Sequence, residues 1–403
     1  MDILNGKSIV LGVTGGIAAF KAAALASHLV RAGSNVTVIM TESAREFMQP
    51  LTFSAITHND VHTTAFTPWR GDFCGHVSLA SEADLLIVAP ATAKSIAGLA
   101  LGLADNLLQL VAISTTAPIL IAPAMEEHML LHPATRLHLE TLAARGAAIV
   151  GPDRGRLASG ASGAGRMAEP EIIVDAARWL LGRSGPLQGR RIVVSAGGTR
   201  EPLDPVRYLG NRSSGTMGYA IAREAIAAGA DVVLVSGPVN MPPPYGAEFI
   251  GVETAIEMRD AVESATEDAD ALIMAAAVAD FRPETRQEQK IKKAPEQTHL
   301  ELKLLRNPDI LASIDRPGMV RIGFAAETDD LLANAQKKLV NKRLDAIIAN
   351  DAEATIGSPT SRATILTSSG DVRSLPEMPK DDLAAAIISL TRELIDTRAL
   401  EST

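Results

Sequence analysis

Short apolar runs recur along the chain, and each runs into a turn rich in glycine, proline or hydroxyl residues. SIVLGV, beginning at Ser8, is an unbroken apolar run of strand length, and Thr14-Gly15-Gly16 follows it as a turn. Ile17 to Ala32 has helix-forming composition, with Lys21, His28 and Arg31 available for an exposed face, and Gly33 stops it. NVTVIM is then a second strand, which completes a β-turn-α-β unit. A continuous apolar run, rather than an alternating one, suits a parallel strand covered on both faces.

The plan recurs in the second half. RRIVVSA is a strand, Gly197-Gly198 a turn, and a long loop leads to GYAIAREAIAAG as a helix and DVVLVS as a strand. ADLLIVAPAT and APILIAPAM in the first half run an apolar strand into a loop, as do ADALIMAAAVADF, VRIGFAAET and LDAIIAND in the second. Two such openings about one domain length apart predict an α/β protein of two tandem doubly wound, Rossmann-like domains. LGRSGPLQG, residues 181–189, lacks periodicity and is rich in Gly, Pro and Ser. It marks the linker, so domains are expected over 1–182 and 189–403. The tail segment LAAAIISLTRELIDTRAL has helical periodicity and is expected to pack on the second domain.

Composition sharpens this picture. A chain of 403 residues is comfortable for two domains, and aromatics at 3% leave the cores to Ala, Val, Ile and Leu. The net charge of −9 offers no basic stripe for a nucleic-acid backbone, although a local basic pocket for a small phosphorylated ligand is compatible with it. A single cysteine, Cys74, precludes an intrachain disulfide and fits a reducing compartment. The N-terminus lacks a signal-type pattern and the apolar stretches are strand-sized or interrupted, so no membrane span is expected. The cytoplasm is the expected location.

Ligands of open α/β sheets sit outside the carboxyl ends of the strands, which directs attention to the residues after each apolar run. Gly15 and Gly16 allow close backbone approach, and the helix start behind them favours an anion. The pair is not a GxGxxG fingerprint, and a tight packing turn explains it equally well on its own. Thr41 and Ser43 follow the second strand and offer hydroxyls to a phosphate. Pro90-Ala91-Thr92 and Ala122 to Met125 close two further strands.

Together with Gly12 to Ala18, these loops resemble the homo-oligomeric flavin-containing cysteine decarboxylases over most of residues 6–175. The resemblance implies FMN bound by Gly15, Gly16, Ile17, Thr41, Ser43, Pro90, Ala91, Thr92, Ala122 and Met125. It also implies His76, in CGHVSLA, as the catalytic base; read alone, a histidine there is more readily a cap or surface residue. The implied reaction is an oxidative decarboxylation in which the flavin is the electron sink and the protein moves protons. Two positions depart from the family pattern. Its substrate loop reads Pro-x-Met-Asn-x-x-Met-Trp, whereas here Pro123-Ala124-Met125 is followed by Glu126, which repels a substrate carboxylate unless its pKa is raised. Its flap carries a proton-donating cysteine, whereas RLASGASGAGRM places Ser159 there, and a hydroxyl is far less acidic than a thiol of pKa about 8.5. Gly165-Arg166-Met167 is kept, so Glu126 and Arg166 are the expected substrate contacts. Cys74 reads as a buried structural thiol, with substitution for the flap cysteine as the alternative.

Residues 195–218, SAGGTREPLDPVRYLGNRSSGTMG, carry Arg200, Arg207, Arg212, two prolines and a Ser-Ser-Gly at a helix start. So many special residues are not expected of a plain connection. Arginines and helix-start amides suit phosphate or carboxylate. The segment resembles bacterial phosphopantothenate–cysteine ligases. The match continues in the family's order through AAAVADF (275–281), KIKK (290–293), RNPDI (306–310), GFAAET (323–328) and KKLVNKRLDAIIAND (337–351). It implies that CTP, with Mg²⁺, activates 4′-phosphopantothenate as an acyl-cytidylate and that cysteine then displaces CMP. By resemblance, Lys290 neutralises phosphate during activation. Lys338 and Lys342 hold the nucleotide phosphates, and their spacing of four puts them on one helical face. Asp280 serves the ribose or the metal, and Asn211 acts on the acyl-cytidylate. Ala275, Ala276, Ala277, Asn307, Pro308, Asp309, Ile310 and Phe324 complete the nucleotide and substrate contacts. Without these neighbours, KIKK reads as a solvated charged face.

The two halves together are similar to the bifunctional decarboxylase/ligase family of coenzyme A biosynthesis. Two alternatives stand beside that reading. One is an active ligase fused to an impaired or structural flavodomain, motivated by Glu126 and Ser159. The other is a flavin prenyltransferase, against which the fusion argues. The resemblance also implies a homo-oligomer of trimeric flavodomains, with FMN near the subunit contact, and dimeric ligase domains, combining to a dodecamer.

Overall fold

The computed structural model describes residues 2–66, 75–292, 298–327, 330–351 and 358–401. Cys74, Lys293 and Thr328, named above, lie outside the described residues. The chain divides into two compact units, Met1–Gly182 and Arg183–Thr403.

In the first unit, β1 (Ser8–Val13), β2 (Asn35–Met40), β3 (Val61–His62), β4 (Leu85–Ala91), β5 (Ile119–Pro123) and β6 (Ala148–Ile149) form a parallel sheet of order β3-β2-β1-β4-β5-β6. Every residue of β4 is buried, which explains its unbroken apolar pattern. The helix Ala19–Arg31 buries Ala22, Leu25, Ala26 and Leu29, the stripe expected at a period of 3.6. Lys21 departs from expectation. It is buried rather than exposed, because its ammonium donates to Met167 O (3.0 Å) and Glu169 Oε1 (3.0 Å). Strand order reverses between β1 and β4, which opens a crevice at their carboxyl ends. A separate antiparallel hairpin follows, β7 (Asp153–Arg156) and β8 (Ser162–Arg166).

The second unit starts with β9 (Arg191–Ala196), the short antiparallel pair β10 (Arg200–Pro202) and β11 (Tyr208–Gly210), β12 (Asp231–Ser236), β13 (Glu248–Gly251) and β14 (Ala271–Met274). A second short antiparallel pair, β15 (Phe281–Pro283) and β16 (Leu304–Arg306), precedes β17 (Val320–Glu327) and β18 (Ala346–Asp351). β19 (Thr360–Thr367) and β20 (Val372–Pro379) end the series. The main sheet runs β13-β12-β9-β14-β17-β18-β19-β20. Its first six strands are parallel in the same order as the first unit, and β19 and β20 add an antiparallel edge that the sequence pattern did not predict. The helix Lys380–Glu401 packs on the helix Thr216–Ala227, with Arg223 paired to Asp381 at 2.9 Å.

The segment expected to be a linker is partly structured. Gly182 ends the helix Pro170–Gly182, and Leu187 is buried with its amide on Ala228 O (2.8 Å). Among the described residues, no helix is long and apolar enough to cross a membrane.

Candidate functional site

Thr14, buried at the end of β1, ties the crevice of the first unit together. Its Oγ1 donates to Pro90 O (2.6 Å) and accepts from the Thr92 amide (3.1 Å). Thr92 then caps the helix Ala93–Leu101, accepting from Ser95 N. Gly15 lies so close to the next loop that a Cβ would sit 2.3 Å from Ser43 Cβ and 2.7 Å from the Ser43 carbonyl carbon. Only glycine permits that approach.

These loops wall a cavity of about 1040 Å³. Gly15, Gly16, Ile17, Thr41, Ser43, Thr92 and Met125 line it, as do Glu126, Ser159 and Arg166. Pro90, Ala91 and Ala122 are not among the lining residues; they are buried in β4 and β5. His76 is not among them either. It sits on the helix Gly75–Glu82, which packs against the helix Leu107–Ser114.

The hairpin β7–β8 brings Ser159 to the cavity on its connecting loop, closed by Leu157 N donating to Ala161 O (2.8 Å). Glu127 Oε1 accepts from Ala164 N (2.9 Å), and Met125 N donates to Gly165 O (2.9 Å), so the hairpin is stapled to the loop that follows β5. Between these staples, Glu126 Oε2 accepts from His128 N (2.7 Å) and caps the helix Glu127–Leu131.

Sequence reasoning missed Lys21, Asn106 and Gln109, which also line the cavity. Asn106 accepts from Gln109 N (3.1 Å), and an Asn directly before the apolar run LLQLVAIS is a cap signal that could have found it.

In the second unit the crevice lies between β9 and β14. Ser195 Oγ accepts from Ala276 N (3.1 Å), Ala277 N donates to Gly197 O (2.8 Å), and Thr199 Oγ1 accepts from Ala279 N (2.9 Å). These bonds fix the segment Ala275, Ala276, Ala277. Asn211 Nδ2 donates to Val278 O (3.0 Å). Buried Asn307 donates through Nδ2 to Ala279 O (2.8 Å), and its amide donates to Asp280 O (2.8 Å).

Just beyond Pro308, Asp309 caps the short helix Ile310–Ser313, and its Oδ2 pairs with Lys342 Nζ at 2.7 Å. Lys338 lies within the helix Leu331–Asn341, and Lys342 closes it by donating its amide to Lys338 O. Phe324 is half-buried in β17, opposite Ile348. Asp280 is exposed, and among the described residues no group of three or more His, Cys, Asp or Glu converges on a metal position.

Lys290 is exposed, but its neighbour is pinned. Ile291 N donates to Asp204 Oδ2 (3.1 Å), and Arg207 Nη2 donates to Ile291 O (2.7 Å). Burial pushes the Asp204 carboxyl up, but the Val206 amide, the Arg207 guanidinium and the Ile291 amide pull harder the other way. The carboxyl lies well below the usual carboxylate range.

Residues 2–181 match the family described as Flavoprotein, and residues 187–394 match the one described as DNA/pantothenate metabolism flavoprotein C-terminal domain. The coenzyme A biosynthesis bifunctional protein CoaBC of Bacillus subtilis (strain 168) is 45% identical over 394 residues, spanning 96% of this chain and 97% of that protein. CoaBC of Vibrio cholerae serotype O1 (strain ATCC 39315 / El Tor Inaba N16961) is 43% identical over 402 residues, spanning 98% of this chain and 100% of that protein. Among solved structures, the C-terminal domain of a CoaBC is 37% identical and covers 53% of this chain and 100% of its own, with a TM-score of 0.47.

Proposed function

This chain belongs to the family of bifunctional coenzyme A biosynthesis proteins, and from that premise we propose that its second unit joins 4′-phosphopantothenate to cysteine and its first unit decarboxylates the product. The observation that carries the reading is the convergence of the first unit's loops on one cavity at the point where strand order reverses.

The cavity residues fit FMN. The Thr41 and Ser43 hydroxyls and the helix-start amides suit its phosphate, and Ile17 and Met125 offer apolar contact to its ring. When bound, FMN supplies the two-electron chemistry of the decarboxylation. Arg166 offers a charge to the substrate carboxylate, and Ser159, on the hairpin loop, offers a hydroxyl to the same cavity. His76 stands off this cavity, so it acts as the base in a neighbouring copy of the trimer that the resemblance implies.

In the second unit, Lys290, Lys338 and Lys342 offset the charge that opposes bringing a carboxylate to a triphosphate. CTP is the proposed nucleotide. Asp280 is the carboxylate that would meet a Mg²⁺ brought in with the nucleotide, since such an ion takes most of its ligands from water and phosphate. Ala275 to Ala277, Asn307 to Ile310 and Phe324 form the nucleotide and substrate walls. The Asn211 amide polarises the acyl-cytidylate carbonyl.

The test uses the purified full chain. Heat release of the bound chromophore is expected to give FMN by mass spectrometry, and pyrophosphate is expected only with CTP, 4′-phosphopantothenate and Mg²⁺ together. A colourless protein rejects the first half of the reading, and no pyrophosphate under any nucleotide rejects the second.

A further inference from the structure

Lys21 stands at the start of the helix Ala19–Arg31, yet its side chain is only 10% exposed and lines the first-unit cavity. A buried ammonium is costly unless it is paired and hydrogen-bonded. Its two acceptors, Met167 O and Glu169 Oε1, belong to the segment leaving the hairpin, 146 and 148 residues along the chain. Glu169 Oε1 also receives Arg166 Nη2 at 2.5 Å. Two cations therefore share one carboxylate oxygen, and the group keeps a net positive charge at the cavity wall.

Arg166 is the outermost member of this group. Its backbone is already fixed, because Gly165 is pressed against the substrate loop. A Cβ on Gly165 would lie 2.1 Å from Met125 O, and Met125 N donates to Gly165 O. Its side chain is 45% exposed, and a long side chain so exposed samples many rotamers unless something holds it. Glu169 is that hold, and Lys21 fixes Glu169. The neighbouring Glu126 lines the same cavity with a negative charge, so an entering carboxylate needs a cation held in one place.

We propose that Lys21 and Glu169 are positioning residues that aim Arg166 at the carboxylate of the decarboxylase substrate. The proposal rests on the decarboxylase reading of the first unit. A bidentate guanidinium is effective only when its plane faces the carboxylate, which makes a pre-set rotamer worth binding affinity. The Lys21 ammonium is directed at Met167 O and Glu169 Oε1 rather than into the cavity, so both residues act through Arg166.

The test uses the full-length flavin-loaded protein and 4′-phosphopantothenoylcysteine, with CO₂ release and flavin absorbance both followed. Glu169→Gln is expected to raise KM about tenfold, the loss of one charged hydrogen bond, with kcat changed less than about twofold. Flavin per chain stays unchanged, which reports an intact fold. Lys21→Arg restores most of what Lys21→Met loses. In an Arg166→Met background, Glu169→Gln is expected to add nothing. An unchanged KM in Glu169→Gln overturns the proposal. So does an effect of equal size in the Arg166→Met background, because the pair would then act independently of Arg166. If the unmodified protein releases no CO₂, the decarboxylase reading itself fails and takes this inference with it. If it releases CO₂ and the variants match it, only the inference fails.

Discussion

Both units reverse strand order at the same place, between β1 and β4 in the first and between β9 and β14 in the second, yet they furnish the crevice differently. The first unit walls a cavity of about 1040 Å³ with close-packed glycine, helix caps and a stapled hairpin. The second knits its polar loop residues to one another through Asn211, Thr199 and Asn307 and leaves Lys290 exposed. Topology fixes where a ligand sits, and the loops decide what it is. A walled cavity suits a resident ligand, whereas the exposed Lys290 beside a hydrogen-bonded floor suits ligands that come and go.

The largest expected effect that would break this comparison is at Gly15. Gly15→Val drives a side chain into Ser43, and an overpacking penalty of about 3 kcal/mol weakens flavin retention about a hundredfold. Ligation should continue at its normal rate. Absorbance per chain and pyrophosphate release measure the two, and a parallel fall in both would show that the units do not work separately.

The mirror-image change is Lys290→Ala. If Lys290 stabilises developing charge as proposed, its removal slows ligation by about a hundredfold while decarboxylation of supplied 4′-phosphopantothenoylcysteine is untouched. Asn307→Ala leaves the buried Ala279 carbonyl without its side-chain donor, while the backbone amide bond to Asp280 O is kept, and should destabilise the second unit by about 1–3 kcal/mol in denaturant unfolding.

The smallest effect is a pH dependence. Because the folded Asp204 carboxyl is depressed, its contribution to stability is complete above the unfolded carboxylate value, about 4, and is lost as pH falls below that towards the folded value. The unmodified second unit should therefore lose more stability between neutral pH and acid than Asp204→Asn. Equal acid sensitivity in the two proteins would remove Asp204 from the account.

Much of the fold was legible because buried parallel strands are continuous apolar runs. SIVLGV, NVTVIM and DVVLVS became β1, β2 and β12 with the same bounds. β20 was not legible, since VRSLPEMP is an exposed edge with no apolar period to detect. Lys21 was misplaced because a helical pattern ranks residues by polarity alone, and its acceptors come from 146 residues away. Leu187 was assigned to a linker because Gly, Pro and Ser around it conceal one buried contact. At the first-unit crevice, the loop motifs named residues that line the cavity, such as Gly15, Thr41 and Ser43, together with Pro90, Ala91 and Ala122, which do not, and no spacing could reveal that His76 is not among the lining residues of its own chain. Asp204 escaped for a related reason: its partner Ile291 is 87 residues away, and only the fold brings them together.

The most direct test of the central claim, two successive reactions on one chain, is a coupled mass-spectrometric assay. The full-length protein is given 4′-phosphopantothenate, cysteine, CTP and Mg²⁺, and the 4′-phosphopantothenoylcysteine and 4′-phosphopantetheine formed are followed in time. The account predicts that the first appears and is consumed as the second accumulates, lighter by one CO₂. Accumulation of the first without loss of CO₂, or the absence of both, would contradict it.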